Sequence, residues 1–214
     1  MTRVKFESIP IEDNAEPLVN LAEYPFLLET VYRDRGVSDL ATHYLREGVA
    51  KKLFIIQESF GGEYRLKIWD GWRPRHVQNA LYEEFWQQLK QEHPSWSDGQ
   101  LHDSTEQFVT MATNLERIPP HATGGTIDLT LTDKNGVELN MGTLFDHFGP
   151  EAAPAYFDHH QEIAANRRLL QDAMKSQGFT PDEDEWWHFD YGCQLWACNI
   201  ERHTAYRTFS GLIY

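Results

Sequence analysis

Cysteine is almost missing from this 214-residue sequence, which has only Cys193 and Cys198. Two thiols are too few for a disulfide framework, and both are read as free, partly buried side chains. Long apolar runs are also missing. Stretches such as Leu53-Phe54-Ile55-Ile56 are far too short to cross a bilayer, so no membrane partner is expected. The opening residues Met1 to Glu7 hold no apolar core of signal-peptide length, which together with the scarce cysteine points to a reducing cytoplasm. Positive charge is scarce as well: 19 Lys and Arg stand against 33 Asp and Glu, a net charge of -14. Such a surface repels phosphate backbones, and with no basic cluster to offset it nucleic acid is excluded as an expected partner. Internal repeats, low-complexity tracts and Pro/Gly/Ser linkers are absent too, so residues 1–214 are read as a single domain. Oligomeric state leaves no mark in the sequence.

What is present belongs to an ordinary globular protein. Hydrophobic residues make up 41% and aromatics 13%, with seven Trp, a composition that excludes overall disorder. Residues 1–40 have no clean period and are read as turns and short strands. Leu45, Val49 and Leu53 recur every fourth position and predict a helix from about Tyr44 to Ile55, ended by Gly61-Gly62. Tyr64, Leu66 and Ile68 alternate with Arg65, Lys67 and Trp69, the period of a half-buried strand. Val77, Leu81, Phe85 and Leu89 predict a second helix stopping near Pro94. Ile127, Leu129 and Leu131 alternate with Asp128, Thr130 and Thr132 in another strand. Asn135-Gly136 then marks a hairpin turn that returns the chain through Val137 and Leu139. A third helix is expected over about Asp158 to Gln177, and an aromatic strand over Trp186 to Leu195. The expected class is α+β, an antiparallel sheet flanked by helices.

Two runs carry candidate chemistry. In Pro119 to Asp128, the strand phase points Ile127 and Leu129 into the core and Asp128 the other way. Gly124-Gly125 lets the chain turn so that His121 folds back toward that carboxylate. Alone, this run reads rather as a loop histidine bonded to an aspartate. In Glu183 to Asp190, His188 sits on the expected strand. Glu185 reaches the same cleft only from a preceding turn or bulge, since residues three apart on a strand face opposite ways. Alone, this run reads as an aromatic core strand with an acidic lead-in. Together they supply His121, Asp128 and His188, a three-ligand catalytic zinc set with one open position, and Glu185 as a general base. No His-Glu-x-x-His helix is present, which excludes the zincin arrangement. Arg73, in Trp69 to Pro74 at a strand end, is placed to clamp an oxyanion, with a surface salt bridge as its plain alternative. His147, His159 and His160 are read as solvated residues around a helix start. His76, His93, His102 and His203 carry no spacing signal.

In order along the chain, Asp70 to Pro74, His121 to Leu131, Met141 to Asp146, Asn166 to Arg168 and Glu185 to His188 resemble the D-alanyl-D-alanine dipeptidases, the group that includes the vancomycin-resistance dipeptidase. The resemblance runs from about residue 64 to 191. It implies zinc on His121, Asp128 and His188, Glu185 as base, Arg73 as oxyanion clamp and a small D-amino-acid dipeptide as substrate. It also implies that Asp146 lies near the dipeptide's free amino group, where a desolvated ammonium needs a charged partner. From the residues alone Asp146 reads equally well as a turn residue. The implied fold is the α+β domain shared with peptidoglycan carboxypeptidases and the hedgehog signalling domain. The chain departs from the family at Pro120 and Ala122, where small hydroxyl residues are common, and at Trp72, where Tyr is common. A peptidase acting on peptidoglycan stem peptides and a non-catalytic zinc-binding interaction domain are the rival functions.

Overall fold

The computed structural model describes residues 9–113, 118–201 and 205–207. Three short strands come first, β1 (Ile11–Asp13), β2 (Leu18–Asn20) and β3 (Leu27–Leu28), followed by a single helical turn, α1 (Val31–Asp34). Then come β4 (Tyr44–Arg46), α2 (Glu47–Ser59), β5 (Tyr64–Asp70), α3 (Arg75–Glu92) and α4 (Asp98–Phe108). The second half holds β6 (Thr126–Asp133), α5 (Gln161–Ser176), β7 (Thr180–Pro181), β8 (His188–Asp190), α6 (Gln194–Asn199) and β9 (Ala205–Arg207). Five strands form the main sheet in the order β3-β5-β6-β8-β7. The class is α+β. The sheet is mixed rather than wholly antiparallel, because β3 runs parallel to β5 while the other pairs are antiparallel.

The alternation in β5 and β6 does what its period demands. Leu66, Ile68, Ile127, Leu129 and Leu131 are fully buried and join Val49, Leu53 and Ile56 of α2 and Leu170 and Met174 of α5 in the principal core. A second cluster, with Val77, Leu81 and Phe85 of α3, packs around Tyr32 and Val109. No helix of the described residues is long and apolar enough to cross a membrane. Cys193 is buried and Cys198 half-buried.

Several expected boundaries are corrected. Tyr44–Arg46 is not helix but a strand on Leu18–Asn20, so α2 starts at Glu47. Helix α4 was not anticipated, although Ser97 and Gln100 form the reciprocal capping box that marks its start. Helix α5 begins at Gln161, where the His160 side chain accepts from the Ile163 N–H. After Asn135-Gly136 the chain does turn back, yet the return pairs only through a bridge between Glu138 and Thr132. The strand expected over Trp186 to Leu195 is just His188–Asp190. Trp186 and Trp187 form a turn, and Gly192, at φ 81°, breaks the chain before Cys193 caps α6. Aromatic density here reflects burial, since both Trp side chains lie in the core. Met1 to Glu7 and His203 lie outside the described residues.

Gly125 is where the fold and the candidate site meet. A Cβ there would overlap the Tyr191 carbonyl and the buried guanidinium of Arg46, which itself donates to that carbonyl. Gly125→Ala is expected to destabilise the protein by about 2–3 kcal/mol through overpacking. A denaturation midpoint matching wild type would contradict this.

Candidate metal centre and active site

Strand register assembles the site. Asp70 at the end of β5 lies opposite Asp128 on β6, and Asp128 lies opposite His188 on β8, so three neighbouring strands present three polar side chains in a row. Asp128 is buried although its neighbours Ile127 and Leu129 take the core face. His121 reaches this row from the 3-10 turn Pro120–Thr123, which ends at Gly124 in the left-handed region at φ 71°. The glycine turn thus does what the sequence suggested.

The ligand atoms converge. His121 Nε2 lies 3.2 Å from Asp128 Oδ2, and His188 Nδ1 lies 3.1 Å from Asp128 Oδ1. The two imidazole centroids are 5.2 Å apart. One atom from each of His121, Asp128 and His188 falls within 4.8 Å of the others, and this is the one such cluster among the described residues. The opposite ring nitrogens are already occupied. His121 Nδ1 lies 2.8 Å from the Gly71 carbonyl, which only accepts, so Nδ1 carries the proton and Nε2 presents its lone pair inward. His188 Nε2 faces Asp190 Oδ1 at 3.3 Å, and Asp190 also accepts from Thr126 Oγ1 at 2.6 Å. That assigns the His188 lone pair to Nδ1, on the inward side.

A cation fits this donor set. Asp128 Oδ1 is a buried oxygen without a hydrogen-bond partner, since His188 Nδ1, although close, is not aligned to donate to it. Orphaned buried carboxylate oxygens are costly, and two imidazole lone pairs with a carboxylate suit a zinc-type ion. Burial disfavours the ionised Asp128, yet His121 and His188 outweigh it and hold this carboxyl well below the usual range.

Glu185, Arg73 and Asp146 line the same cavity of about 180 Å³ as His121, Asp128 and His188. Glu185 lies just before β8, not on it. Asp182 Oδ1 accepts from the Asp184 and Glu185 N–H groups and fixes this turn, and Glu185 Oε2 comes 3.7 Å from His188 Nδ1. Burial pushes the Glu185 carboxyl up to about 8, with His188 opposing and Asp128 adding to the rise. Arg73 is no surface salt bridge. It is buried, donates through Nε to Asp70 at 2.8 Å and through Nη1 to Gln78 at 3.0 Å, and its Nη2 stands 3.8 Å from Asp128. Asp146 adopts φ 58°, a left-handed conformation uncommon outside glycine, and its carboxylate accepts from Tyr32 at 3.1 Å and Arg35 at 3.0 Å. Burial raises its pKa to about 6, Asp128 adding to the rise while Arg73 and Arg35 oppose it.

All six residues singled out from the sequence therefore meet in one place. Sequence reasoning missed the residues that hold them: Asp190 behind His188, Asp70 and Gln78 around Arg73, and Tyr32 and Arg35 at Asp146. Asp190 was the readable one, because a residue two positions along a strand shares its face.

A sequence model of the peptidase M15 family, described as D-Ala-D-Ala dipeptidase, matches residues 20–206. The chain belongs to this family. It is 27% identical to a D-alanyl-D-alanine dipeptidase of Synechocystis over 223 residues, covering 92% of this chain and 90% of that relative. The Escherichia coli enzyme of the same name is 34% identical over 143 residues, covering 66% of this chain and 61% of its own, and the Enterococcus faecium enzyme is 29% identical, covering 74% of each. Among solved structures, the vancomycin-resistance D,D-pentapeptidase VanY in complex with Zn(II) is similar at TM-score 0.41 and 16% identity, over 94% of this chain and 97% of that one. VanYB in complex with D-alanine-D-alanine gives TM-score 0.42 and 15% identity, over 91% and 93%.

Proposed function

We propose that this peptidase hydrolyses D-alanyl-D-alanine to D-alanine with one zinc ion held by His121, Asp128 and His188. The observation that carries the reading is the convergence of those three ligand atoms, with an orphaned Asp128 oxygen, in one cavity with a half-buried carboxyl and a buried guanidinium. When bound, zinc supplies a Lewis acid for the scissile carbonyl and lowers the pKa of water toward neutrality. Glu185 takes the proton from the attacking water and later gives it to the leaving amine. In the metal-free site burial raises this carboxyl to about 8, and a cation bound beside it would favour the ionised form that takes a proton. Arg73, locked by Asp70 and Gln78, stabilises the oxyanion that develops as the carbonyl becomes tetrahedral, without reorganising when it forms. Asp146 receives the substrate's ammonium. The cytoplasm, where no disulfide is needed, is the proposed setting, and residues 1–214 the proposed single domain.

A purely structural zinc domain needs neither a carboxyl base nor a clamped guanidinium beside its ligands. Free D-Ala-D-Ala and its N-acetylated form, assayed on zinc-loaded protein, test the reading. Faster turnover of the free dipeptide is expected. Equal rates on both would remove the dipeptidase reading in favour of a peptidase acting on stem peptides, and turnover of neither substrate by protein holding one zinc would remove the catalytic reading. Within it, Arg73→Ala is expected to lower kcat roughly 100- to 1,000-fold with a much smaller change in KM. A raised KM with kcat preserved would make Arg73 a ground-state binder.

A further inference from the structure

The carboxylate assigned to the substrate's ammonium already has a cation. Arg35 Nη1 lies 3.0 Å from Asp146 Oδ2, while Tyr32 donates to Oδ1 at 3.1 Å. Tyr32 lies within α1 and Arg35 immediately follows it, three residues on, so one helical turn presents both groups to Asp146. The other arm of the same guanidinium, Nη2, holds Glu84 of α3 at 2.6 Å. Arg35 and Glu84 line the same cavity as the metal cluster, and Arg35 thus ties α3 to the loop that carries Asp146. Neither residue belongs to the blocks that carry the family resemblance.

Asp146 has acceptor positions to spare but one negative charge. An arriving ammonium must share that charge with the guanidinium 3.0 Å away, or displace it. Displacement is open to Arg35, whose side chain is 38% exposed and whose second partner Glu84 is 50% exposed, so it can withdraw onto Glu84 and water. A peptide with a blocked amine makes no such demand, because the Arg35–Asp146 pair stays whole and the half-buried carboxylate keeps its partner.

We propose that Arg35 is a specificity-determining residue: it occupies Asp146 in the free enzyme and competes there with the substrate's ammonium, and Glu84 sets how readily it lets go. The inference rests on the dipeptidase reading above. It makes the preference for a free dipeptide over an N-blocked one smaller than a lone Asp146 would give, and adjustable from two positions that touch neither metal nor scissile bond.

The test is the ratio of kcat/KM for D-Ala-D-Ala to that for N-acetyl-D-Ala-D-Ala, measured on the zinc-loaded wild type, Arg35→Gln and Glu84→Gln. Removing the competitor in Arg35→Gln is expected to raise the ratio about fivefold, the scale of a partly exposed ion pair. Glu84→Gln deprives Arg35 of its other partner, so the ratio should fall. These opposite signs exclude a merely structural role, which would change both rates and leave their ratio alone. An unchanged or lowered ratio in Arg35→Gln, or a shift of both variants in the same direction, would overturn the proposal. A wild type active on neither substrate would instead overturn the functional reading, and this inference with it.

Discussion

Glu185→Gln is expected to keep its zinc and lose turnover of D-Ala-D-Ala by roughly 100- to 10,000-fold, the range a positioned general base supplies. Glutamine preserves the shape of the side chain and removes its ability to take a proton. Metal content is expected to hold because the three ligand atoms and their outer partners, Gly71 and Asp190, are untouched. The same substitution has a second signature in metal-free protein. Burial raises the folded-state pKa of Glu185 to about 8 from an ordinary value of 4.5. A carboxyl shifted upward contributes stability that is fully present below the unfolded pKa and is lost as pH rises through the folded one. Wild type should therefore lose stability relative to Glu185→Gln between about pH 4.5 and pH 8, by on the order of 2–4 kcal/mol. Thermal melts of both chelator-treated proteins at pH 5 and pH 8 check the sign. A gap that does not widen at pH 8 would show Glu185 to be better solvated than its surroundings imply. A fully active, zinc-loaded variant would show that the base lies elsewhere.

Asp128→Asn is expected to weaken zinc binding by more than 100-fold, since loss of an outer-shell partner alone typically costs 10- to 100-fold. Asp128 is the only anionic ligand of the proposed set, and it faces both imidazoles at once. Dialysed wild type should retain about one zinc per chain and the variant little, with activity falling in parallel. Competition with a chromophoric chelator measures the difference. Equal affinities would remove Asp128 from the ligand set.

How much of this was legible beforehand follows from how far apart in the chain each contact lies. The turn that carries His121 to Asp128 was readable because its cause is local: Gly124 and Gly125 sit between the two residues and need no distant partner to bend. The tension at Glu185 was also local, and it resolves because the Asp182 side chain caps the turn ahead of the strand. Strands β5 and β6 were readable from alternation, but their mutual register was not. That register puts Asp70 and Asp128 side by side, and no pattern within either strand encodes it. Arg73 looked as much like a surface cation as a clamp because its burial is produced by Asp70, Gln78 and Tyr32 together. The aromatic strand expected over Trp186 to Leu195 is overlong because Trp density is no backbone preference. In the fold it is a packing preference, served here by a turn.

The most direct measurement is anomalous diffraction at the zinc edge on crystals of the zinc-loaded protein, alongside metal analysis of the same sample. One peak per chain is predicted, contacting Nε2 of His121, Nδ1 of His188 and the carboxylate of Asp128 together. A stoichiometric zinc found elsewhere, or a peak touching only one of the two imidazoles, would contradict the metal centre on which every catalytic role above depends.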